Sequence, residues 1–100
     1  MIAMIPSFDQ ACRQLLAAFF GKCPNPRLQT ASNKTLARLL ASEIPLAGKP
    51  GGWAGGMVYA IGSHGCGVPN VLNRELEEAF GTTMGTIYKR AAQIRRLLDL

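Results

Sequence analysis

One hundred residues are enough for one domain with its own core, without metal or disulfide staples. With 48% hydrophobic residues the chain falls outside the disordered class, and no apolar run approaches the roughly 20 residues needed to span a bilayer. Eleven Lys and Arg against six Asp and Glu give a net charge of +5. That balance suits a polyanion, nucleic acid foremost, although it also serves simply to keep a small domain soluble.

The segment Met1 to Phe8 has no basic n-region and meets Pro6 too early for a signal peptide. An odd number of cysteines, three, fits reduced thiols better than a disulfide framework. The expectation is a cytoplasmic protein with no membrane contact.

The first predicted helix runs from Ser7 to Phe20, where Phe8, Cys12, Leu15, Leu16 and Phe19 recur at helical spacing. Ser7 is its natural cap and Gly21 its end. Pro24 and Pro26 make Lys22 to Arg27 a loop. A second helix is predicted from near Ser32 or Asn33, using Leu36, Leu39, Leu40 and Ile44, with Pro45 stopping it.

The third helix differs. Pro50 suits a first turn, and Trp53, Ala54, Met57, Val58, Ala60 and Ile61 follow with no Lys, Arg, Asp or Glu between Lys49 and Arg74. A helix apolar on all sides belongs in the middle of a bundle. Gly51, Gly52, Gly55 and Gly56 each cost roughly 1 kcal/mol of helix propensity against Ala, so they are expected to let neighbouring backbones approach closely. A Gly-rich turn from Gly62 to Pro69 follows.

Residues 72–98 read as a helix-turn-helix. Leu76, Ala79 and Phe80 give a short helix with Asn73 as its N-cap, Gly81 forces the turn, and Thr83 caps a last helix built on Ile87, Ala91, Ile94 and Leu98. Two helices joined by a short turn containing Gly form the unit that lays its second helix in the DNA major groove. The outer side of that helix carries Thr86, Lys89, Gln93 and Arg96. Lys89, Arg90 and Arg96 are the expected phosphate neutralisers, and Tyr88 either stacks on a sugar or packs under the turn. The whole is expected to be a single all-α domain of five helices with the third buried.

Two stretches of this layout resemble a cyclin-like box, in particular the second repeat of transcription factor IIB, and small prokaryotic cyclin-fold proteins of unassigned function. One is Lys49-Pro50 with the apolar helix ending in Val58-Tyr59-Ala60-Ile61. The other is Glu75-Leu76, Phe80-Gly81, Thr86-Ile87, Arg90 and Ile94. The resemblance implies a compact five-helix cyclin-like bundle whose helix-turn-helix contacts duplex DNA, at the matching positions Thr83, Thr86, Lys89 and Arg90. With Tyr88, Gln93 and Arg96 these make up the candidate DNA-binding set. The chain departs from the family at Thr82, in the glycines of the third helix, and above all at Glu77. That residue stands where the two motif helices press together, so it either tilts them apart or marks a box that kept its scaffold without DNA contact. A single box fills a full site only as a homodimer or beside a protein partner, and a protein-interaction module without DNA binding is the other expectation.

No site for catalysis or a cofactor emerges. Cys12, Cys23, His64 and Cys66 supply zinc-ligand chemistry but match no common zinc spacing. The glycine-rich run from Gly48 to Gly67 lacks the phosphate-loop order and a preceding strand. Glu75, Glu77 and Glu78 read as a solvated face within reach of Arg74 or Lys89. The protein is not expected to be an enzyme.

Overall fold

The computed structural model describes residues 7–63 and 67–100. The described residues form five α-helices: α1 (Phe8–Lys22), α2 (Pro26–Ala41), α3 (Pro50–Gly62), α4 (Asn73–Phe80) and α5 (Met84–Leu98). Among the described residues there is no strand, and no helix is long and apolar enough to cross a membrane.

Capping starts α1 where Ser7 predicts. The Ser7 hydroxyl accepts the Gln10 N–H and the Gln10 side chain accepts the Ser7 N–H, both at 3.2 Å, a reciprocal box that satisfies two otherwise unpaired amides. Cys12, Leu16, Phe19 and Phe20 form the buried face of α1. The helix continues one residue past Gly21 to Lys22.

The sequence reading places the start of α2 too late. The helix begins at Pro26, because the Asn25 side chain accepts the Leu28 N–H at 3.1 Å and Pro26 fills the first helical position, where its missing N–H costs nothing. The proline that suggested a loop is therefore a helix initiator. At the other end α2 stops at Ala41, short of Ile44, as Ser42 caps it and Glu43 turns left-handed at φ 58°.

Helix α3 is the centre of the molecule and touches each of the other four. Gly52 to Val58 are all buried. Its glycines create room for the neighbours, as expected. A Cβ on Gly56 would lie 2.7 Å from Arg90 Cβ and 3.0 Å from the Ala91 amide nitrogen, and one on Gly52 would lie 2.9 Å from Thr86 Cγ2. Gly52 thus faces Thr86 and Gly56 faces Arg90, so α3 and α5 run side by side in the same direction with almost no side chain between them. One on Gly51 would collide with the Phe80 carbonyl oxygen, which brings the end of α4 onto the start of α3.

The phenylalanines of α1 belong to this core. Phe19 and Phe20 are buried and Phe19 packs on Phe80 of α4 at 5.2 Å between ring centroids, while Phe8 is partly buried against the cluster. Burying each such side chain stabilises the fold by roughly 1.5–3 kcal/mol.

In α4 the N-cap position falls to Leu72, not Asn73. Leu72 has no capping side chain, but the Glu75 carboxylate accepts its N–H at 3.0 Å. Leu76 and Phe80 point inward. Gly81 takes the left-handed conformation (φ 61°, ψ 37°) that ends α4, and the Thr83 hydroxyl accepts the Thr86 N–H at 3.3 Å to start α5. Ile87, Ala91, Ile94 and Leu98 form the buried face of α5, as the spacing predicts.

Candidate nucleic-acid interface

Three residues, Gly81 to Thr83, join α4 to α5, and Glu77 holds them. Its carbonyl accepts the N–H groups of Gly81 and Thr82, and its carboxylate accepts the Met84 N–H at 2.8 Å. Met84 is the first helical residue of α5, so a negative charge meets the positive end of the helix dipole as well as an unpaired amide. Glu77 is a clasp between the two helices rather than a wedge that parts them.

Burial of Ile87, Ala91, Ile94 and Leu98 fixes which side of α5 meets solvent. Gly85, Lys89, Ala92 and Arg96, at i, i+4, i+7 and i+11, form one exposed stripe that continues into the exposed Thr83. Lys89 and Arg96 are seven residues apart, roughly 10 Å along the axis, and the residues beside them are small. Thr86 is only half exposed because its methyl packs toward Gly52. Its hydroxyl lies 3.3 Å from that of Thr83.

Tyr88 stands at one flank. Its ring meets Tyr59 of α3 edge-on at 5.1 Å, and its hydroxyl accepts from the Asn73 amide at 3.3 Å. The ring is exposed yet held from two helices. It packs against Tyr59 and not beneath the turn.

On the other flank Arg90 and Gln93 turn away from the stripe. The Arg90 guanidinium carbon lies 4.6 Å from the centre of the Trp53 ring, and its Nη1 donates to Gln93 Oε1 at 2.8 Å. Its Nη2 lies over Gly48, where an added Cβ would displace it, and its Nε is buried without a partner among the described residues. Trp53 in turn donates its indole N–H to the Ala47 carbonyl at 2.9 Å. The chain from Ile44 to Ala47 therefore straps across α5, enclosing a cavity of about 210 Å³ with Trp53, Arg90, Gln93, Arg96 and Leu97. Arg95 donates to Ser63 Oγ, just beyond the end of α3, at 3.0 Å.

Neither Lys89 nor Arg96 is in an ion pair among the described residues. Among the described residues the one ion pair is Arg13 with Asp9, on α1. Glu75 and Glu77 are committed to backbone amides, and neither pairs with Arg74 or Lys89 as the sequence suggested. Beside the α4–α5 turn lies a cleft of about 620 Å³, walled by Leu15, Pro50 and Phe80 and edged by Lys49, Thr82 and Arg90.

Of the cysteines, Cys12 and Cys23 lie among the described residues. Cys12 is buried and donates weakly to the Pro50 carbonyl at 3.8 Å, and burial, reinforced by the Asp9 charge, pushes its thiol up to about 12. Cys23 is half-buried, while His64 and Cys66 lie outside the described residues. Among the described residues no three His, Cys, Asp or Glu side chains gather as a metal site.

Sequence reasoning missed the Glu77 clasp, although an acid so close before a predicted helix start is a recognisable capping signal. It also missed the Arg90–Trp53 contact, for which residues so far apart in the chain give no local sign. Comparison of the chain with family models, curated proteins and solved structures gives no match.

Proposed function

We propose that this chain is a duplex-DNA-binding domain of cyclin-like type, with α4, the Gly81–Thr83 turn and α5 acting as its helix-turn-helix. The observation that carries the reading is the exposed cationic stripe of α5. Lys89 and Arg96 are exposed on one line with Gly85 and Ala92, next to the Thr83 hydroxyl, and no described acid pairs with either cation. Small residues between two cations allow a helix to approach the groove floor while the charges reach phosphates on its walls.

The roles divide accordingly. Thr83 and Thr86 face base edges or sugars at the N-terminal turn of α5, Lys89 and Arg96 neutralise phosphates, and Tyr88 offers a braced ring to the backbone. Arg90 and Gln93 set the angle of α5 by locking it to Trp53.

Isotope-labelled amide spectra with and without a duplex test this reading. Shifts are expected at Thr83, Gly85, Lys89 and Ala92, with Ala54 and Val58 of α3 unmoved. Shifts spread evenly over the surface would contradict it.

A protein-interaction module is the second reading, favoured by the 620 Å³ cleft with its apolar walls at Leu15, Pro50 and Phe80. A titration in which a protein partner, and not DNA, moves Leu15 and Phe80 would select it.

A further inference from the structure

The structure assigns a self-association surface to the end of the domain where α2 and α5 terminate together. Arg38 of α2 donates to the Leu98 carbonyl at 3.2 Å, which ties the two helix ends to each other. Around that junction lie four of the six large hydrophobic side chains that stay exposed among the described residues: Leu40 (37%), Ile44 (41%), Leu97 (37%) and Leu100 (58%). Ile44 and Leu97 wall the same cavity. Apolar side chains gathered at one end of a domain mark an interaction surface.

The charges at this end select a second copy of the chain as the occupant. Over the whole sequence the excess is +5, so two copies repel across most approaches. Here Arg38 and Arg96 are balanced by Glu43 and Asp99, all four exposed and none of them in an ion pair. A patch carrying both signs around an apolar centre is complementary to itself under a two-fold axis, with Arg96 of each copy reaching an acid of the other.

Local physics gives neither acid a reason to be where it is. Glu43 and Asp99 both adopt left-handed backbone (φ 58° and φ 55°), a conformation that favours glycine. Both also place a negative charge at a helix C-terminus, the wrong end of the dipole. Neither charge is stabilised by its own helix, and a cation of a second copy would give each a partner. This surface shares Arg96 with the proposed DNA stripe but centres on the opposite end of α5 from Thr83, and the substitutions that test it leave Lys89 and Arg96 in place.

Sedimentation of the full chain from 5 to 200 µM tests the proposal. The wild type is expected to reach twice 10.7 kDa within that range. Ile44→Asp with Leu97→Asp should remain monomeric at 200 µM while keeping the wild-type helical spectrum, because both side chains are already exposed. Glu43→Lys with Asp99→Lys leaves the apolar centre intact and should weaken association at least tenfold. A wild type that stays monomeric at 200 µM overturns the proposal. So does a dimer that survives both paired substitutions, which would place the interface elsewhere.

Discussion

The Glu77 carboxylate accepts the Met84 amide at 2.8 Å, across the turn from one helix to the next. A large acid at a helix–helix contact looks disruptive in sequence, but at this distance it supplies both a hydrogen bond and a dipole interaction to the start of α5. Removing it as Glu77→Ala should cost about 1–2 kcal/mol, the range for a charge-assisted hydrogen bond at a helix N-terminus. Glu77→Gln keeps the acceptor and loses the charge, so it should cost about half as much. Urea unfolding of the three proteins measures this, and a Glu77→Ala variant more stable than wild type would restore the wedge.

The glycines make a paired prediction. Gly56→Ala sets a methyl against Arg90 Cβ and the Ala91 backbone, which cannot move without shifting α5 as a whole. Overpacking of this kind should cost about 1–3 kcal/mol. At Gly21 a Cβ meets nothing within 4 Å, so Gly21→Ala should stabilise by about 0.4–1 kcal/mol through the unfolded chain. Thermal unfolding midpoints moving in opposite directions are the expected result.

Lys89 and Arg90 are adjacent in sequence and should respond differently. Arg90→Ala removes the cation over Trp53 and the partner of Gln93, so it should destabilise by about 1–2 kcal/mol and shift the Trp53 emission. Lys89→Ala touches nothing in the fold and should leave stability within about 0.5 kcal/mol. Fluorescence and denaturant titration of the two variants separate them.

Cys12 predicts a pH response. Its thiol rises from 9.0 to about 12 on folding, chiefly through burial. The folded state then holds the proton more tightly than the unfolded one, so stability is full below pH 9 and falls as pH rises above it. Denaturation at pH 8, 9 and 10 checks the sign, with Cys12→Ala flattening the dependence. In a Cys23→Ser, Cys66→Ser background a thiol reagent at pH 8 should modify Cys12 only after unfolding.

Local signals in this chain were easy to read and non-local ones were not. Ser7, Pro50, Gly81 and Thr83 each act through hydrogen bonds or torsions within four residues, so the sequence announces them. Burial of α3 was equally plain from its lack of charge. Pro26 misled because the same residue breaks a helix in its interior and begins one at its first turn, and only the Asn25 cap distinguishes the two. In the candidate site, Lys89 and Arg96 were readable from helical period. The inward turn of Arg90 was not, since it depends on Trp53, 37 positions earlier, and on the absence of a side chain at Gly48.

The central claim is that the solvent stripe of α5 holds duplex DNA, and a salt titration of binding tests it most directly. Anisotropy of a labelled duplex should rise with protein at 50 mM salt, and affinity should fall linearly with salt on logarithmic axes. The slope should ease by about 0.9 for each phosphate that is no longer neutralised, so Lys89→Ala with Arg96→Ala should flatten it by about 2 while the fold is retained. No binding at 50 mM salt, or an unchanged slope and affinity in that folded double variant, would contradict the account.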